Sequence, residues 1–170
     1  MRYILMFMLC VSFSHNSLSA ENEFTLNIGD TAPDWSLQTN NNESLNYYED
    51  SGSDISLILF WATWCPYCAK LMPHLEDIYR KYQHKNVKFY AIDIYEDGDI
   101  NPSSYFKDKG YTYTMLLNGD NIAKQYAVKG TPSVYLVDTN KTVIYKRRSG
   151  DSETKVRQKL DSLLSQILTQ

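Results

Sequence analysis

Ile55 to Ala62 (ISLILFWA) is apolar at almost every position. That pattern suits a central strand buried on both faces of a sheet. Directly after it the spacing changes. Leu71, Leu75, Ile78 and Tyr82 recur at intervals of three and four, so Cys65 to Tyr82 is predicted to form one helix. Pro73 falls inside that helix and is expected to kink it. Val87 to Ile94 (VKFYAIDI) alternates and then turns apolar, which predicts a second strand. Upstream, Phe24, Leu26 and Ile28 alternate with polar residues, as do Trp35 and Leu37. With Gly29, Pro33, Asn40 to Asn42 and Gly52 interspersed, residues 21–54 predict short strands joined by turns.

In the second half, Asn101-Pro102 has the form of an N-cap followed by proline at the first helical position, predicting a short helix over 102–109. Thr112 to Leu117 reads as extended, and Asp120 can cap a short helix through Tyr126. Ser133 to Val137 and Thr142 to Lys146 predict two strands of a hairpin around Asp138-Thr139-Asn140. Asp151 or Ser152 opens a last helix with Val156, Leu160, Leu163, Leu164 and Ile167 on its apolar face. Strands alternate with helices, and neither an internal repeat nor a linker interrupts them. The expectation is one α/β domain over residues 21–170.

Composition narrows the possible partners. At 170 residues and 43 % hydrophobic, the chain can bury one real core. Its 17 basic and 20 acidic residues give a net charge of −3, so no basic excess points to nucleic acid. The opening residues have a different character. Arg2 precedes an apolar run of 11 residues, Tyr3 to Phe13, and Ser17-Leu18-Ser19-Ala20 offers small residues for cleavage. That order predicts a signal peptide over residues 1–20 and a periplasmic product. The run is short of the roughly 20 residues a membrane span needs, so cleavage is favoured over an uncleaved inner-membrane anchor, the alternative. Cys10 does not suggest a lipoprotein, since Leu9 stands where a small residue belongs.

Removal of residues 1–20 leaves 16 basic against 20 acidic residues, a net −4, and two cysteines, Cys65 and Cys68. They sit where the apolar strand passes into the predicted helix, in Trp61-Ala62-Thr63-Trp64-Cys65-Pro66-Tyr67-Cys68. A helix N-terminus carries partial positive charge and free N–H groups. Both favour a thiolate, and a cysteine there can fall from a pKa of about 8.5 to roughly 3.5–7.5. Cys68 is three residues on, so the two sulfurs can meet, and the pair can cycle between dithiol and disulfide. Pro66 suits the first turn, where its missing N–H has no helical partner. The exposed first cysteine, Cys65, is expected to be the nucleophile, and the more buried Cys68 the resolving thiol. Competing readings are an inert structural disulfide and half of a zinc site. The second lacks further ligands, since His74 and His84 are badly spaced and no second cysteine pair exists. Asp93, Glu96, Asp97 and Asp99 do not form a calcium loop, because the third and twelfth positions counted from Asp93 are Tyr95 and Ser104.

Phe60 to Cys68, Pro73, and Gly130-Thr131-Pro132-Ser133 together resemble the thioredoxin superfamily. The signal segment, the opening Gly29-Asp30-Thr31-Ala32-Pro33-Asp34-Trp35-Ser36-Leu37, and an extra segment over about 94–117 resemble its exported TlpA/ResA-like branch. The resemblance implies a thioredoxin-like fold: a central mixed β-sheet flanked by helices, with an N-terminal strand extension and a central insertion. It also implies thiol–disulfide oxidoreductase activity at Cys65 and Cys68. Thr131-Pro132 matches the family's cis-proline turn, whose exposed backbone pairs with substrate. Trp64, Pro66 and Tyr67 join it in substrate binding, Trp64 as an apolar wall beside the sulfur. At two positions the chain departs from the family. Leu59 stands where thioredoxins carry a buried acid, and Leu71 stands where ResA-like reductases often carry glutamate, so no proton acceptor for Cys68 is evident.

The function implied is reduction of disulfides in specific exported proteins, for example during cytochrome c maturation. Electrons would come from a membrane thiol–disulfide donor, and the protein would work as a monomer without cofactor or metal. The alternatives are a periplasmic oxidant or isomerase, and a metal-capturing binding module. The motif does not fix direction, because related pairs span about −270 to −120 mV.

Overall fold

The computed structural model describes residues 24–169. The leader expected over residues 1–20 lies outside the described residues. Seven strands form one mixed sheet: β1 (Ser36–Thr39), β2 (Ser44–Asn46), β3 (Ile55–Trp61), β4 (Val87–Asp93), β5 (Thr114–Leu117), β6 (Ser133–Val137) and β7 (Val143–Lys146). They lie side by side as β2-β1-β5-β4-β3-β6-β7. β3 and β4 are parallel, as are β4 and β5, and the remaining pairs are antiparallel. Among the described residues five helices accompany them: α1 (Tyr47–Ser51), α2 (Pro66–Tyr82), α3 (Pro102–Asp108), α4 (Asp120–Gln125) and α5 (Glu153–Ile167). This is the mixed sheet with flanking helices that the resemblance implied.

β3 shows why its sequence is apolar throughout. Ile55, Leu57, Leu59 and Trp61 enter one core cluster with Leu71, Leu75, Ile78 of α2 and Val156, Leu160, Leu164 of α5. Ile58 and Phe60 point into a second cluster with Leu26, Trp35, Tyr47, Ile122 and Tyr126. Successive side chains of a strand face opposite ways, so a strand covered on both sides must be apolar at both. Helix α2 continues through Pro73 as a single element, and Arg80 and Lys81 stand in its last turn, where the helix dipole favours cations. Its buried Glu76 accepts the Thr112 N–H at 2.9 Å, the Thr112 hydroxyl at 2.7 Å and Arg80 Nε at 2.7 Å, which ties α2 to the segment before β5.

Two expectations need correction. Residues 24–28 are not a strand. Leu26 alone turns inward, while Phe24 and Ile28 are exposed, and Gly29 at φ 98° bends the chain immediately after. The following residues instead pair with the chain at the start of β7 and just before it. Gly29 N–H donates to Val143 O at 2.8 Å, Val143 N–H to Asp30 O at 2.9 Å, and Ala32 N–H to Lys141 O at 2.8 Å. Nor does Asp120 cap α4. Gly119 holds the cap position without a side-chain bond, and Asp120 is the first helical residue. Its carboxylate is engaged elsewhere, accepting the Tyr95 N–H at 2.8 Å.

Candidate active site

β3 delivers the chain to the start of α2, and four residues, 62–65, make the junction. Cys65 has the extended backbone of an N-cap (φ −84°, ψ 107°), and Pro66 takes the first helical position. The Cys65 Sγ accepts the Cys68 N–H at 3.1 Å, so a sulfur does what a serine or aspartate oxygen does at other helix starts. Cys65 and Cys68 are joined by a disulfide, their Cα atoms 5.2 Å apart. The expected contrast in exposure is absent in this form: Cys65 is 3 % exposed and Cys68 1 %.

The neighbours of the pair are well exposed. Tyr67 is 61 % exposed and Trp64 49 %, so Trp64 is not a core residue. Its indole N–H donates to the Tyr95 carbonyl at 2.7 Å. One residue earlier, Thr63 N–H donates to Glu96 Oε1 at 2.7 Å and the Thr63 hydroxyl donates to Glu96 Oε2. The loop after β4 therefore grips both residues that precede Cys65. Tyr95, at φ 52°, turns this loop.

At the base of the loop sits Asp93, paired in register with Trp61 and 4 % exposed. Its Oδ2 accepts the Asn118 N–H at 3.2 Å, and its Oδ1 has no partner. Burial pushes its pKa up to about 6, the negative charges of Glu96 and Asp120 push the same way, and the Asn118 N–H opposes them. Ionisation of Asp93 thus opposes folding. Its unfavourable contribution is absent below pH 4, grows as pH rises through 6, and is complete above. Asp93→Asn should accordingly be more stable than the parent at pH 8 by roughly 2–3 kcal/mol. The gap should close towards pH 4. Urea unfolding at both pH values checks this, and an equal gap at each would show that Asp93 does not titrate in that range.

Thr131 and Pro132 form a turn between α4 and β6, joined by a cis peptide. Pro132 is buried and Thr131 half-buried. A groove of about 460 Å³ runs between Tyr67 and this turn on one side and Ser149 to Glu153 on the other, with Arg147 among its lining residues. Of the sequence-predicted residues, Tyr67, Thr131 and Pro132 line this groove together; Cys65, Pro66 and Cys68 stand with Tyr67 at the start of α2, and Trp64 precedes them. A roomier cleft of about 520 Å³, near Ile28, Tyr145 and Lys159, includes none of them. Among the described residues, no group of three or more His, Cys, Asp or Glu side chains could hold a metal ion.

Sequence reasoning missed Glu96, Asp93 and Arg147. In sequence, Glu96 and Asp93 present only a calcium-loop spacing that fails. Their contacts are to Thr63 and Asn118, which lie 33 and 25 residues away, and no local pattern announces such pairs.

Residues 28–146 match the AhpC/TSA family. The chain is 26 % identical over 165 residues to thiol-disulfide oxidoreductase ResA of Bacillus thuringiensis subsp. konkukian, covering 95 % of this chain and 94 % of that protein. It is 29 % identical over 145 residues to the thioredoxin-like protein YneN of Bacillus subtilis, covering 84 % of each. The thioredoxin domain of a thiol-disulfide oxidoreductase of Bacteroides vulgatus has the same fold, with TM-score 0.69 at 18 % identity, covering 85 % of this chain and 99 % of that one.

Proposed function

Because this chain belongs to the AhpC/TSA family, with a thioredoxin-like fold and ResA among its relatives, we propose that it is an exported thiol–disulfide oxidoreductase that reduces disulfides in specific periplasmic proteins. The observation that carries this reading is the Cys65–Cys68 disulfide set on the first turn of α2, with the Cys65 sulfur already accepting a helix N–H. In the reduced protein the same N–H and the helix dipole stabilise a Cys65 thiolate.

The thiolate attacks one sulfur of a substrate disulfide. A mixed disulfide forms, and the other substrate sulfur leaves as a thiolate. Cys68, as thiolate, then attacks the Cys65 sulfur and expels the second substrate thiolate. The substrate has gained two electrons, and the protein is left as the Cys65–Cys68 disulfide. A membrane dithiol donor returns two electrons and is itself oxidised. Trp64 and Tyr67 flank the reacting sulfur, and the Thr131 backbone opposite offers a strand-like edge to the substrate segment. Cytochrome c maturation is one process that needs such a reductant. Among the described residues no helix is long and apolar enough to cross a membrane.

The test uses protein recovered from the periplasm. Its N-terminus should lie near Glu21, and it should catalyse reduction of insulin by dithiothreitol. Retention of Met1 in the membrane fraction would establish the anchored form. Absence of insulin reduction, together with stoichiometric Cu(I) binding by the dithiol, would replace the enzyme reading with metal capture.

A further inference from the structure

We propose that Arg147 is a positioning residue for the substrate peptide, fixing the groove between the Thr131–Pro132 turn and the 148–153 loop so that an extended segment lies in register with Cys65. The inference rests on the proposed reading of that groove as the substrate site. Arg147 follows β7 directly, and its own N–H is fixed to Val134 O at 2.8 Å. Its guanidinium then forks. Nη1 donates to the Pro132 carbonyl at 3.2 Å, and Nη2 donates to the Asp151 carbonyl at 2.9 Å. One planar group therefore spans both walls of the groove, which a lysine cannot do, since its ammonium is a single point of attachment.

Two further observations favour a role beyond packing. Arg147 Nε is buried and has no partner. An unsatisfied buried donor is unfavourable, and an apolar side chain of similar length would fill the space without it. In addition, the bond to the Pro132 carbonyl holds the residue next to Thr131, whose main chain the proposed reading offers to an incoming strand. The opposite wall presents Ser149 and Ser152, both exposed, and Tyr67 closes the end nearest the cysteines. Such a groove fits an extended polypeptide that can bond through its main chain and rest an apolar side chain on the Tyr67 ring. A small disulfide reaches the sulfur without using it.

The experiment compares Arg147→Met and Arg147→Lys with the parent on two substrates, a disulfide-bonded peptide and hydroxyethyl disulfide. For Arg147→Met, KM for the peptide should rise about tenfold, with kcat and the reaction of hydroxyethyl disulfide altered by less than about twofold. Arg147→Lys should recover part of the loss, and cooperative thermal unfolding of each variant confirms that it is folded. An unchanged peptide KM, or equal losses on both substrates, would overturn the assignment. A mixed disulfide of the peptide with Cys68→Ser separates this from the parent reading. Backbone amide shifts at Thr131 and Ser149 to Ser152, with KM unaltered in Arg147→Met, would overturn the role of Arg147 alone. No shift at Thr131 would overturn the groove itself, and Arg147 with it.

Discussion

Cys65→Ser is expected to reduce insulin turnover to the uncatalysed rate, whereas Cys68→Ser should still attack and then accumulate mixed disulfides with its substrates. The two outcomes differ because the two sulfurs stand in different places. The Cys65 sulfur caps α2 and accepts the Cys68 N–H, so its thiolate is the one that the helix end stabilises. A serine hydroxyl at that position caps the helix equally well but does not ionise near neutral pH, so nucleophilicity is lost while the fold is kept. Cys68 lies inside the first turn of α2, bonded to Cys65 and placed to attack its sulfur once a mixed disulfide has formed. Its loss removes only the step that resolves the mixed disulfide. Non-reducing gels after mixing with oxidised substrate protein read this directly, and equal trapping by both variants would reverse or abolish the assignment of roles.

The largest effect on stability is expected from Trp61→Ala, a loss of about 3–5 kcal/mol. Trp61 ends β3 and is fully buried. Its ring packs against Tyr105 and Phe106 of α3, with centroids 5.6 and 5.8 Å away. These aromatic contacts seat the inserted helix on the sheet. Truncation leaves a void that the rigid strands around it cannot close, since Trp61 also pairs in register with Asp93. For a domain of this size the melting temperature should drop by about 10 °C or more. Trp61→Phe keeps most of the ring contact and should lose less than half as much. A Trp61→Ala protein that melts within about 2 °C of the parent would show that α3 is not held by this contact.

How far the sequence reveals the molecule depends on the range over which each interaction acts. β3, β4 and α2 are legible because their signals are periodic and long, and burial on both faces leaves an unbroken apolar run at Ile55 to Trp61. The cysteines and Thr131-Pro132 are legible because spacing and family resemblance mark them. Phe24 to Ile28 misleads because alternation over five residues is equally satisfied by one inward leucine in an irregular segment. Helix α1 goes unseen because it has only five residues, with Asn46 as its cap, too few for a period to show. The grip of Glu96 on Thr63, and of Arg147 on Pro132 and Asp151, joins residues through the fold, and composition and spacing are silent about such pairs.

The segment at Gly29 to Ala32 has a consequence for how this protein keeps its own company. The sheet ends at β2 and at β7, and at the β7 end the strand's first residue, Val143, and Lys141 of the preceding turn are already engaged by Gly29 to Ala32. An open strand edge invites any extended chain, including another copy of the same molecule. Here the invitation is withdrawn by a stretch lying only a few residues past the exposed Phe24. Covering the start of the β7 edge with its own backbone leaves less of that edge open to strand addition by another copy.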